Sequence, residues 1–190
     1  AVKSLADLPE GSLVATGSTR RRAILAHKRP DLRFAPMRGN VGTRLEKLRA
    51  GHDGMDATLL AAAGIERLGL DVPEAVKLSP EEMLPAVGQG ALCVQARVDA
   101  FDIEEALLAI HHVPTATCVA AERAFLEALG GDCTTPLAAF GTLEGQDVRL
   151  RALVSGEDGS PWYEGELTSP GAYARRTGGA LAEQLLSQGA

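Results

Sequence analysis

Aromatic residues are scarce in this chain, at 4% of 190 residues, so its core must be aliphatic, built on Ala, Leu and Val. Three cysteines, at 93, 118 and 133, fit neither a disulfide framework nor a zinc-ligand spacing. Their usage points to a reduced, cytoplasmic setting. No apolar run approaches the ~20 residues that a membrane-spanning helix needs, and no charged-then-apolar leader opens the sequence. No internal repeat is evident. The opening Ala, within a polar segment, suggests that residues upstream have been lost or removed.

What the chain does have is 45% apolar content, enough for one large domain or two small ones, and a concentrated positive charge. Between Thr19 and Arg49 stand ten Lys or Arg against two acids, Asp31 and Glu46, although the whole chain carries −6. Something anionic is expected to bind there. The local pattern places these cations on a wound α/β unit. A strand at Leu13–Thr16 leads through the Gly17-Ser18-Thr19 turn into a helix from Thr19 to about Lys28, stopped by Pro30. A strand near Leu32–Ala35, a helix capped by Asn40 to about Ala50, a buried strand at Ala57–Ala62 and a helix at Gly64–Leu70 follow. This βαβαβα order is doubly wound.

Beyond it, the turn-rich Leu84–Gly90 leads into an expected strand at Ala91–Arg97 and a helix at Asp102–His111. Pro114 marks an expected domain boundary. A helix at Thr117–Leu129 ends at Gly130-Gly131. Strands at Leu137–Leu143, Val148–Ser155 and Trp162–Leu167 form a meander, and a helix at Ala172–Leu186 closes the chain. The second part is therefore α+β. His111-His112 reads as a cap or boundary pair.

In a wound sheet, ligands meet the carboxyl ends of strands and the N-termini of helices. Ser18 and the free N–H groups of the first helix suit an anion there. Arg20 and Arg21, in its first turn, oppose the helix dipole at about 0.3–1 kcal/mol each, a cost that a bound anion would offset. Arg38 and Arg44 flank the start of the second helix, on the same sheet edge, and arginine forks suit carboxylate or phosphate. A solvated basic face is the competing reading, preferred for Arg22, Lys28, Arg29, Lys47 and Arg49. Nucleic acid is disfavoured, because Phe34 is the single aromatic of the stretch and the chain is acidic overall. Cys133 lies in a Gly-Gly-Asp-Cys loop where a thiol would be accessible, and nearby cations would favour thiolate while Asp132 would oppose it. Taken alone, a single loop cysteine is more often structural or incidental than functional. Cys93 and Cys118 read as small apolar residues of a strand and a helix.

Several segments together resemble the porphobilinogen deaminase (hydroxymethylbilane synthase) family. They are G-S-x-R-R at 17–21, R-P-D-L at 29–32, M-R-G-N-V-G-T-R-L at 37–45, L-P-A-V-G-Q-G-A at 84–91, A-E-R-A-F at 121–125, the Gly-Gly-Asp-Cys loop and L-R-A-L-V at 150–154. The resemblance implies a transferase of tetrapyrrole biosynthesis. Four porphobilinogen units condense head to tail, with loss of ammonia, on a dipyrromethane cofactor joined through a thioether to the residue matching Cys133. Each pyrrole carries an acetate and a propionate, so the bound chain is a polycarboxylate, which suits a cluster of arginines better than one phosphate does. By match of motif, Ser18, Arg20, Arg21, Arg38 and Arg44 hold these carboxylates, and Gly64, Arg67 and Gln89 line the same cleft.

The resemblance also implies an organisation. Residues 1–88 form a middle domain like half of a two-lobed periplasmic-binding-protein fold. Residues 89–112 return as strand and helix to a first domain that lies mostly before residue 1, and 113–190 form an α+β domain carrying the cofactor cysteine. A cytoplasmic monomer is implied, with no metal, nucleic acid or membrane partner. Two departures stand out. Asp132 replaces the Gly that usually precedes the cysteine, and no residue here matches the catalytic aspartate of the family's first domain. A chain of these 190 residues alone is therefore expected to bind but hardly to turn over. The alternative is a non-catalytic polycarboxylate-binding module.

Overall fold

The computed structural model describes residues 4–131 and 135–190. Leu13–Ala15 forms β1, with Val14 and Ala15 fully buried. Arg33–Ala35 (β2) and Ala57–Thr58 (β3) lie parallel to it on either side, in the order β2-β1-β3. Parallel neighbours need crossover connections, and helices α1 (Thr19–Lys28) and α2 (Val41–Arg49) lie in them. Both helices start where the sequence places them. The Ser18 hydroxyl accepts from the Arg21 N–H, and the Asn40 side chain accepts from the Thr43 N–H, each satisfying an otherwise orphaned donor. Strand β3 is shorter than the expected Ala57–Ala62. Beyond Thr58 the Leu59 carbonyl accepts from the Arg21 guanidinium at 2.8 Å. Helix α3 (Ala62–Arg67) follows.

The second layer is an antiparallel sheet, β4 (Leu137–Glu144), β5 (Asp147–Ser155) and β6 (Trp162–Pro170), in that order. Side chains alternate across a strand. Leu137 and Ala139 face the core made with α5 (Val113–Leu129) and α6 (Ala174–Ser187), where Phe125, Leu181 and Leu185 are buried. Ala138 turns the other way and meets Ile24 of α1, with Leu84 and Leu153. Helix α1 thus joins the two sheets. Full burial of Ile24 contributes about 1.5–3 kcal/mol to that junction. The His27 ring stacks on Trp162 with centroids 4.0 Å apart.

Three sequence expectations need correction. Helix α5 begins at Val113 rather than Thr117 and takes in Pro114, which is tolerated in a first turn because its missing N–H would have no partner there. His112 is its cap, accepting from the Thr115 N–H. The strand expected at Ala91–Arg97 does not form. Residues 92–99 are exposed and pair with no strand among the described residues, and an unpaired segment gains no ladder. Cys93 is accordingly exposed in irregular chain rather than packed in a strand. The following helix, α4 (Phe101–Leu107), ends in a 3-10 turn at Leu108–Ile110 and leaves Phe101, Leu108 and Ile110 open to solvent.

Candidate anion-binding site

The basic residues stand just beyond the carboxyl ends of the parallel strands: Arg20 and Arg21 in the first turn of α1, Arg38 in the β2–α2 loop and Arg44 in the first turn of α2. Gly17 lets two of these loops touch, since a Cβ there would lie 2.7 Å from the Met37 carbonyl oxygen. The β1–α1 turn therefore packs against the segment that carries Arg38. Gly64 lies under Val41, at the start of α2, and brings α3 to the same edge.

Arg20 is 6% exposed. Its guanidinium donates to the Leu84 carbonyl at 2.5 Å and to Gln89 Oε1 at 3.4 Å, both neutral acceptors. Burial, and then the charge of Arg21, lower its pKa to about 10. Burial and then the charge of Arg44 lower that of Arg21. Arg21 thus stands between two like charges, close enough to Arg20 and to Arg44 for repulsion to be felt. Arg44 donates from Nε to the Gly39 carbonyl at 2.7 Å.

Elsewhere, arginines find carboxylates: Arg29 with Asp31, Arg49 with Glu74, Arg149 with Glu166, Arg151 with Glu81 and Arg175 with Glu127. Among the described residues, Arg20, Arg21, Arg38, Arg44 and Arg67 form no ion pair. In a chain with 25 acids and 19 bases, none of the described carboxylates is placed against that cluster, which suits it to an anionic ligand.

The structure brings Ser18, Arg20, Arg21, Arg44 and Gln89 together. Ser18 caps α1, so its hydroxyl hydrogen remains available to a ligand. Arg38 is exposed on the β2–α2 loop, and no hydrogen bond or ion pair ties its side chain to the other three. Arg67 is exposed and reaches the Gly90 carbonyl at 3.1 Å. Cys133 and Asp132 lie outside the described residues. Of the residues read as a solvated face, Arg29 is instead structural, holding the Leu5 and Leu8 carbonyls as well as Asp31. Among the described residues, no group of three His, Cys, Asp or Glu comes together to hold a metal.

Sequence reasoning missed Glu122 of α5. It is 5% exposed, and accepts from the Gly88 N–H at 2.6 Å and the Gly141 N–H at 2.8 Å. Burial raises its pKa despite both hydrogen bonds. Its signal was a carboxylate standing between Ala121 and Ala124 on the apolar stripe of a helix.

Residues 1–105 match the family model described as "Porphobilinogen deaminase, dipyromethane cofactor binding domain", and residues 116–187 match "Porphobilinogen deaminase, C-terminal domain". The chain belongs to the porphobilinogen deaminase family. It is 46% identical to a porphobilinogen deaminase of Listeria innocua over 192 aligned positions, which cover all of this chain and 61% of that protein. It is 45% identical to a porphobilinogen deaminase of Chromobacterium violaceum, over 98% of this chain and 60% of that one. The chain thus spans about 60% of the length of these curated relatives. The unit that matches the porphobilinogen deaminase cofactor-binding model, residues 1–105, holds the arginines that form no ion pair among the described residues.

Proposed function

We propose that this chain carries the polycarboxylate-binding wall and the cofactor attachment point of a hydroxymethylbilane synthase, a transferase condensing four porphobilinogen units with loss of ammonia. The observation that carries this reading is Arg20, buried beside Arg21, itself beside Arg44, with only neutral acceptors among the described residues. The donor set fits the dipyrromethane group. Several guanidiniums without counter-charge among the described residues suit the acetate and propionate of each pyrrole, and arginine binds carboxylates through paired N–H donors.

Bound through the Cys133 sulfur, the dipyrromethane supplies the primer to which porphobilinogen units are added. The chain's own residues bind and orient. Arg20, held by Leu84 and Gln89, keeps a fixed direction, so it meets a carboxylate without first losing side-chain freedom. Arg21 is fixed likewise by the Leu59 carbonyl. Ser18 offers a hydroxyl donor beside them, Arg38 and Arg44 extend the positive edge along α2, and Gly64, Arg67 and Gln89 line its flank.

In this reading residues 1–88 are a domain of the periplasmic-binding-protein type, and 113–190 are the cofactor-carrying domain. Residues 89–112 pack on a further domain, whose sheet would give 91–97 the strand neighbour it lacks among the described residues. The exposed Leu92, Val98, Phe101, Leu108 and Ile110 support that pairing, since they form an apolar surface with nothing over it among the described residues. The enzyme works as a cytoplasmic monomer.

The test is the intact mass of the protein purified from cells with a complete tetrapyrrole pathway. A mass increase of one dipyrromethane, abolished by Cys133→Ser, is expected. An unmodified thiol at Cys133 contradicts the enzyme reading and favours a non-catalytic polycarboxylate-binding module.

A further inference from the structure

Glu122 spends a buried carboxylate on two backbone N–H groups that belong to different layers. Gly141 is in β4, within the C-terminal sheet. Gly88 is in the turn 84–90, which follows the parallel α/β unit. A Cβ at Gly141 would lie 3.0 Å from the Cys118 carbonyl oxygen, so the glycine is what allows β4 to approach α5 closely enough for Glu122 to reach it. Gly88 has φ +69, the left-handed region that glycine enters without strain.

The 84–90 turn also holds Arg20 in place, through the Leu84 carbonyl and the Gln89 amide oxygen. We infer that Glu122 is a positioning residue for the anion site: from α5 it fixes the turn at Gly88, and the turn aims the Arg20 guanidinium. The inference rests on the proposed polycarboxylate site and deepens it.

The path is short. Glu122 Oε2 holds the N–H of Gly88, the next residue is Gln89, and its side chain touches Arg20. Both N–H groups are donors, which suits a carboxylate with two acceptor oxygens. An amide offers one acceptor oxygen and one NH2, so Glu122→Gln places two donors face to face at Gly88 or at Gly141. A buried donor left unpaired is costly, and Gly141 is held by the β4–β5 ladder whereas the 84–90 turn belongs to no strand, so the turn is the attachment that gives way. Arg20 then loses its fixed direction.

The experiment uses mellitate, a benzene hexacarboxylate, titrated calorimetrically into the full chain and its variants at temperatures where circular dichroism shows each folded. Glu122→Gln is expected to bind mellitate about tenfold more weakly, the loss that one charged hydrogen bond's worth of positioning gives. Leu185→Ala opens a void in the same C-terminal core and is expected to bind as the wild type does. Gly88→Ala strains the turn while leaving the residues of α5 unchanged, and is expected to weaken binding in the same direction, which keeps the inference testable if Glu122→Gln does not fold.

Unchanged affinity in Glu122→Gln, or in Gly88→Ala, overturns the role of Glu122 while leaving the anion site intact. Equal losses in Glu122→Gln and Leu185→Ala also overturn it, since general loosening then accounts for both. A wild type that does not bind mellitate overturns the anion site itself, and this inference with it.

Discussion

Arg20 keeps its charge in a place where water cannot solvate it, and among the described residues no carboxylate neutralises it. Such a group burdens the unliganded protein and rewards a ligand that supplies the missing charge. Arg20→Met should therefore unfold within about 1 kcal/mol of the wild type without ligand, because relief from desolvation offsets the lost bond to Leu84. Mellitate should raise the melting temperature of the wild type and leave that of Arg20→Met almost unmoved. An equal upward shift in both would remove Arg20 from the site.

Asp31 shows the opposite economy. The hydrogen bond from Arg29, more than any other cause, lowers its pKa to about 2. A depressed carboxylate contributes stability that is fully present above its unfolded pKa and disappears as pH falls through the folded one. Asp31→Asn should thus be less stable than the wild type near neutrality. That deficit should shrink between the ordinary carboxylate range and about pH 2. Denaturant titrations at several pH values would show it, and a pH-independent deficit would contradict the assignment.

At the scale of elements, what could be read from the sequence depended on whether the signal was local. Ser18, Asn40 and Gly130 are caps with their own chemistry, and α1, α2 and the end of α5 lie where those caps put them. The strand at 91–97 has the right residues, but a strand requires a neighbour, and none among the described residues pairs with it. The site divided along the same line. Arginines at helix starts were visible as a charge pattern. The Leu84 and Leu59 carbonyls that orient them were not, because any residue supplies a carbonyl. Glu122 was hidden for a related reason, its partners being backbone groups far along the chain.

Two substitutions test how the loops are held. Gly17→Ala forces a Cβ to within 2.7 Å of the Met37 carbonyl and should cost about 1–3 kcal/mol on denaturant unfolding. Asn40→Ala removes the cap of α2 and should cost about 1 kcal/mol. A neutral Gly17→Ala would mean that the β1–α1 and β2–α2 loops are not in contact in solution.

Over the whole molecule, α1 ties the two sheets to the arginine cluster. One face closes the parallel sheet through Leu25, another meets the antiparallel sheet through Ile24, and its first turn presents Arg20 and Arg21. A helix so anchored cannot turn its arginines away to escape their mutual repulsion, and the charge stays concentrated at one edge. The most direct measurement is calorimetric affinity for carboxylates of increasing charge, from tricarballylate to mellitate, at fixed ionic strength. Affinity should climb steeply with the number of carboxylates and fall when Arg20, Arg21 and Arg44 are neutralised together. Equal weak binding across the series, or binding indifferent to that triple variant, would show that the arginines do not form a polycarboxylate site.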